Sequence, residues 1–165
     1  MPESRSLSIR WFALAAAVLV ADRLTKLAVL AKLIPGEAVR VTDFFNLILV
    51  FNKGAAFSFL AGAQGWQTWF FAAIAVIATV VISVLLLREP GKLLFCAGLA
   101  LILGGALGNL WDRLTLGHVV DFLDVHAAGW HFPAFNIADS AITVGAGILI
   151  LESFLQREEG HEKRA

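Results

Sequence analysis

Two uncharged apolar runs set back to back, Trp69 to Leu87 and Leu93 to Trp111, with only Arg88 to Lys92 between them, leave this chain few alternatives. Polar interruptions are confined to Thr79 and Ser83 in the first and Asn109 in the second. Crossing the hydrocarbon of a bilayer takes about 20 residues at roughly 1.5 Å each, and both runs meet that length. They predict a helical hairpin through a membrane. Composition agrees: 59% of the 165 residues are hydrophobic and 16% charged, against roughly 45–50% and 25% in soluble domains.

The first and last apolar runs, Trp11 to Ala21 and Ala141 to Leu151, would each cover only about 16 Å alone. To span, the first must continue over Asp22, Arg23, Thr25 and Lys26 toward Leu33, and the last must begin near Phe135 and include Asn136, Asp139 and Ser140. The expected spans are therefore 11–33, 67–87, 93–111 and 135–155 in a single integral membrane domain, 1–165. An ionisable residue inside a span is costly and marks a function or a buried pair, so these two extensions concentrate the interest.

Thirteen Lys and Arg balance thirteen Asp and Glu, which lacks the basic footprint of a nucleic-acid binder. Cys96 is the only cysteine, which excludes an intramolecular disulfide and any cysteine-built zinc or iron-sulfur site. Arg5, Arg10, Arg88, Lys92, Arg157, Lys163 and Arg164 outnumber Lys32, Arg40, Lys53 and Arg113 on the opposite side, so both termini are expected in the cytoplasm. Trp11, Trp66, Trp69, Trp111 and Trp130 fall at helix ends or in outer loops, as an interfacial belt requires. Arg5 to Ala21 also resembles a signal peptide, but Leu19 stands where a small residue is wanted before cleavage after Ala21, so the segment is expected to be a retained span.

Alternation of four helices brings Asp22, Lys26, Asn109, Asp112, Arg113, Asn136 and Asp139 to one depth on the outer side, capped by a loop over 114–133 with His118, Asp121, Asp124, His126 and His131. Between helices one and two, 38–60 reads as a small sheet on the membrane surface: Val39 to Val41, Asn46 to Phe51, a turn at Asn52 to Gly54, then Ala55 to Leu60. Gly54 suits a turn with positive φ. The expected fold is an all-α membrane protein of four transmembrane helices with a small extracytoplasmic β-sheet between helices 1 and 2.

Each polar feature has a plain structural reading beside a functional one. Asp22 and Lys26 are four apart on one helix face and can neutralise each other. Asn136 and Asp139 have the spacing of a helix cap and a first-turn acid, Arg113 suits a helix C-terminus, and Gly104, Gly105 and Gly108 suit close helix packing. His118 to His126 could be assembled into a metal site, but the spacing matches no specific zinc pattern. Ser140 with Lys26 would make a serine–lysine pair, but nothing puts Ser140 on a strained turn. Two carboxylates, Asp121 in the loop and Asp139 at a helix start, reach the same rim, and if they approach they would share one proton near neutral pH.

Five blocks carry a resemblance: DRLTK over 22–26, NKGAAF over 52–57, GGALGNLWDR over 104–113, GHVVDF over 117–122 and FPAFNIADS over 132–140. With them in this order across nearly the whole chain, the sequence resembles the bacterial lipoprotein signal peptidase family (signal peptidase II). The resemblance implies a multi-pass enzyme of the bacterial inner membrane that removes signal peptides from diacylglyceryl-modified prolipoproteins before the lipidated cysteine. It implies Asp121 and Asp139 as a catalytic dyad, Asn52, Asn109, Arg113 and Asn136 as the substrate pocket, and Asp22 with Lys26 as the supporting pair. It further implies no metal or organic cofactor, contact with membrane lipids, a monomer, and inhibition by cyclic peptide antibiotics. Arg23 stands where Gln is common and Lys53 where an uncharged residue is common. The alternative from another class is a proton-coupled transporter or binding protein, with Asp22, Asp121 and Asp139 as relay carboxylates; the apolar cytoplasmic halves of the helices offer such a relay no path.

Overall fold

The computed structural model describes residues 2–54 and 66–162, with side chains described over 7–54 and 66–156. Four helices, α1 (Pro2–Lys32), α2 (Trp66–Arg88), α3 (Leu93–Leu116) and α4 (Ile137–Glu162), are joined by strands β1 (Ala38–Arg40), β2 (Phe45–Asn52), β3 (Val119–Ala127) and β4 (Trp130–His131). Among the described residues, α2, α3 and α4 are long and apolar enough to cross a membrane. Helix α1 matches them in length, but it carries Asp22, Arg23 and Lys26.

Helix α3 packs against the other three, and its glycines bring it close to α1 and α4. A Cβ on Gly104 would stand 2.5 Å from the Ala15 carbonyl oxygen of α1, one on Gly98 would stand 2.8 Å from the Gly145 carbonyl oxygen of α4, and one on Gly105 would run into the Ala138 carbonyl oxygen. Between apolar helices in lipid there is little hydrophobic drive, so close backbone approach supplies the association. Gly105→Ala is therefore expected to destabilise the fold by about 1–3 kcal/mol through overpacking. Gly91→Ala, where an added Cβ meets nothing within 4 Å, serves as the control. Thermal unfolding in detergent measures both, and equal midpoints would show that the α3–α4 seam is not tight.

Helix α3 runs past the expected end at Trp111 to Leu116, and Gly117 stops it in the left-handed region at φ 76°. Asp112 and Arg113 end the apolar run without ending the helix, because both are satisfied inside the protein. Trp11 departs from the expected belt: it is only 6% exposed, and its Nε1–H donates to the Pro90 carbonyl at 3.0 Å. It joins Ala15, Ile82, Leu86, Cys96, Leu99, Ala100 and Leu103 in the core at that end. Trp66, Trp69, Trp111 and Trp130 are exposed, as expected.

The segment 114–133, expected as a loop, instead supplies half of the sheet. The strand order is β1-β2-β3-β4, antiparallel throughout. The pairing of β2 with β3 shifts between Leu47 and Val50, a bulge that turns Leu49 into the core beside Val29, Val120 and Phe122. The expected turn glycine, Gly54, has φ +101°, whereas the strand expected over Ala55 to Leu60 lies outside the described residues. Beyond β4 the chain returns to β3: Phe135 exchanges backbone hydrogen bonds with Leu123 at 2.8 and 3.1 Å. That return sets the start of α4 beside Asp121.

Candidate active site

Helix α4 begins with a reciprocal cap. Asn136 Oδ1 accepts from the Asp139 backbone N–H at 2.9 Å, and Asp139 Oδ2 accepts from the Asn136 N–H at 3.3 Å, so two otherwise orphaned donors are satisfied. A third, the Ala138 N–H, donates to Asp22 Oδ1 of α1 at 3.0 Å. Asp22 therefore acts as a tertiary cap, which no local spacing announces.

Lys26 is the hub. Its side chain is fully buried, and its ammonium meets Asp22 Oδ2 at 2.8 Å, Asp112 Oδ2 at 2.8 Å and Asn109 Oδ1 at 3.1 Å. The ammonium thus sits among two carboxylates and one amide oxygen. Because an ammonium only donates, Asn109 must turn its carbonyl toward Lys26, and its amide then donates to Asp139 Oδ1 at 2.7 Å. Asn136 Nδ2 donates to Asp121 Oδ1 at 2.7 Å, and at 3.2 Å to both Asn109 Oδ1 and the Val120 carbonyl. The two asparagines thus link Asp121 to Asp139.

Asp121 is 1% exposed and its other oxygen, Oδ2, accepts from Asn52 Nδ2 at 3.0 Å. Asn52 is fixed in turn by its Oδ1, which accepts the Gly54 N–H at 2.8 Å within the turn that ends β2. Burial first, and then the charge of Asp139, push the Asp121 carboxyl up from 3.8 to about 7, against the hydrogen bonds from Asn52 and Asn136. Asp139 is only half-buried, so the pair consists of one enclosed and one more accessible carboxyl.

Arg113 lies in electrostatic range of Asp139, Asp121 and Asp112. It donates from Nη1 to the Asn109 carbonyl at 3.3 Å, and its guanidinium lies over the Phe71 ring, 5.4 Å from the centroid. All eight residues singled out in the sequence therefore fall in one neighbourhood.

Two more belong with them. Asp112, buried completely, accepts from Lys26, from Arg23 and from the Val120 N–H at 3.2 Å, which ties α1 and α3 to the strand that carries Asp121. The sequence places Asp112 at this depth without giving it a role, and its spacing of three from Asn109, which puts both on one face of α3, is the signal for one. Arg23 pairs with Asp112 and lies over the Trp111 ring, which adds a cation to this network.

The other sequence candidates have structural work. Asp124 accepts from Asn46 at 2.8 Å and approaches His131 Nδ1 at 2.8 Å; burial raises its carboxyl, but these bonds outweigh burial and hold it below the usual carboxylate range. His126 stacks on His131, and His118 packs against Phe51. Among the described residues no three His, Cys, Asp or Glu side chains gather in a metal-holding group. Ser140 donates its hydroxyl to the Asn136 carbonyl at 2.9 Å and Lys26 is held by carboxylates, so they do not act as nucleophile and base.

A family model described as Signal peptidase (SPase) II matches residues 14–155. A curated protein named Lipoprotein signal peptidase, from Paraburkholderia phytofirmans, is 59% identical over 150 residues, covering 91% of this chain and 87% of its own length. Another of that name, from a Janthinobacterium species, is 52% identical over 149 residues, covering 90% of each. Two solved bacterial membrane enzymes, determined by the in meso method at 2.3 and 1.9 Å resolution, match with TM-scores of 0.80 and 0.76 at 30% and 32% identity. The first match covers 91% of this chain and 90% of the other, the second 87% and 91%.

Proposed function

Because the chain belongs to the signal peptidase II family, we propose that it cleaves signal peptides from diacylglyceryl-modified prolipoproteins with an aspartic dyad, Asp121 and Asp139. The observation that carries the dyad is the bridge of Asn109 and Asn136 between a buried and a half-buried carboxyl. Around it, three cations (Arg23, Lys26, Arg113) face four carboxylates (Asp22, Asp112, Asp121, Asp139). One proton on the dyad makes the set neutral, the state a buried cluster favours.

Burial and the neighbouring charge keep that proton on Asp121. Asp139 takes a proton from a water between the carboxyls, and the resulting hydroxide adds to the carbonyl carbon before the lipidated cysteine. Asp121 protonates the carbonyl oxygen. As the tetrahedral intermediate collapses, Asp139 delivers its proton to the leaving amine and Asp121 recovers one from the intermediate's hydroxyl, so the dyad returns to its starting state. Asn52 and Asn136 orient Asp121, Asn109 orients Asp139, and Arg113 presents a guanidinium to substrate carbonyls. Lys26 with Asp22 holds this frame.

Four spans with both termini in the cytoplasm and the site at the outer rim suit this chemistry, since acyl chains stay in lipid while the scissile bond meets water. The charges of α1 do not oppose a fourth span: Asp22 and Lys26 are fully buried and Arg23 turns onto Asp112. Exposed Val39, Val41, Phe44 and Phe51 on β1, β2 and the segment joining them suit a sheet resting on the membrane surface. The enzyme acts as a monomer, and cyclic peptides that fill the cleft inhibit it.

Comparing diacylglyceryl-modified prolipoprotein with its unmodified form in a detergent or lipid assay tests the function. Cleavage of the modified form alone is expected, and inactivity of folded protein on both would overturn it. Protonated Asp121 is lost as pH rises through about 7, so kcat/KM is expected to fall on the alkaline side from that point; a flat profile to pH 9 would contradict the assigned acid. Chelators are expected to leave turnover unchanged, and inhibition reversed by added metal would redirect attention to the histidines of β3 and β4.

A further inference from the structure

Asp139 and Asp121 lie in electrostatic range of Arg113, yet, alone among the three cations of the cluster, its guanidinium makes no ion pair within 4.0 Å among the described residues. Its Nη1 is turned back to the Asn109 carbonyl and its planar group lies over the ring of Phe71 on α2. That ring is itself held. A Cβ at Gly54 would stand 2.9 Å from Phe71 Cδ2, so the turn that follows Asn52 rests directly on it, and Phe70 meets its edge at a centroid distance of 5.4 Å. Thr68, one turn earlier, donates to the Gly117 carbonyl at 3.1 Å and fixes this end of α2 to the end of α3.

We propose that Phe71 is a positioning residue that holds Arg113 off the two aspartates, so that the dyad keeps its shared proton at neutral pH. The proposal rests on the aspartic dyad put forward above. Opposite charge at contact range lowers a carboxyl by about 1–3 pH units, enough to strip the proton that the acid needs. A guanidinium held over the ring by its attraction to the aromatic face instead stays available to substrate. The other charged groups facing the dyad, Lys26 and Asp22 from α1 and Asp112 from α3, are locked in their own contacts, and His118 packs on Phe51. Arg113 alone of the three cations has no ion pair to hold it.

The test is the pH profile of kcat/KM on diacylglyceryl-modified prolipoprotein for wild type, Phe71→Leu, Phe71→Trp, Arg113→Gln, the Phe71→Leu/Arg113→Gln pair and Asp139→Asn. Phe71→Leu is expected to move the alkaline limb about one unit lower and to cut turnover at pH 7 by roughly fivefold, while Phe71→Trp keeps the wild-type limb. In the double variant the limb returns to that of Arg113→Gln, because no guanidinium remains to fall onto the dyad. A Phe71→Leu limb that stays in place, with Asp139→Asn inactive, overturns the role of Phe71 alone; an active Asp139→Asn overturns the dyad itself. Phe71→Met, similar in volume but without a ring, repeats the measurement should the leucine variant not fold. Failure of both to fold would make Phe71 a packing residue and end the proposal.

Discussion

Replacing Asp121 or Asp139 with asparagine is expected to lower turnover at least 10³-fold while leaving the protein folded, since general acid and base steps each contribute about 10²–10⁴-fold. Shape survives in both cases. The amide of Asp139→Asn keeps an oxygen for the capping bond to Asn136, and that of Asp121→Asn keeps one for Asn52 or Asn136. The Asp121 variant carries a second, opposite signature in stability. In the folded wild type this carboxyl is raised from 3.8 to about 7, so the folded state is penalised progressively as pH climbs between those values and fully above them, by up to about 4 kcal/mol. Asparagine removes that penalty but leaves one neighbouring amide without an acceptor, at about 1–3 kcal/mol. A net gain of about 1–3 kcal/mol is therefore expected at pH 8, shrinking as pH falls toward 4. Activity assays and thermal unfolding at pH 5 and 8 measure the two effects together; near-wild-type turnover in either variant ends the dyad assignment.

Lys26→Met is expected to be the most destabilising single change, by about 3–5 kcal/mol, because it strands the buried Asp22 carboxylate and leaves Asp112 with Arg23 as its sole remaining ion-pair partner. At the size of this chain that is a fall of roughly 10 °C in the unfolding midpoint. Loss should spread beyond stability, since Asn109 would no longer be forced to aim its amide at Asp139. Adding Asp22→Asn to Lys26→Met removes the stranded charge and should recover part of the midpoint, a coupling that a double-mutant comparison reads directly. A midpoint within two degrees or so of wild type would mean that the pair sits in a far wetter site than its burial indicates.

Much of this is legible along the chain. The hairpin of α2 and α3 follows from two uncharged runs, and the spacing of Asn136 and Asp139 announces a helix cap that the structure contains. That capping is also the plainer reading of these two residues shows how a single geometry serves both purposes: the cap that starts α4 is what aims Asp139. Strand β3 escapes a reading along the chain because its apolar pattern acquires meaning only against β2, far away in the sequence. Its hairpin to β4 is hidden by Ala128, which adopts φ 50° beside Gly129 at φ 80°, a turn that Asn-Gly would ordinarily advertise. Trp11 departs from expectation because α1 begins at Pro2 and not near Trp11, which puts the ring inside the helix, where the Pro90 carbonyl receives its N–H.

What the sequence determined alone is whatever depends on local period, length and charge: the membrane class, the helix hairpin, the cap of α4, the glycine seam of α3 and the motifs that identify the family. What tertiary structure decided is who meets whom among the polar side chains. Asp22 caps a helix more than a hundred residues away, Asp112 holds the strand of Asp121, and Phe71 faces Arg113. Those partners come from different elements, so no spacing encodes them. In an interior where an unpaired charge is costly, each was settled only when packing brought the partners together.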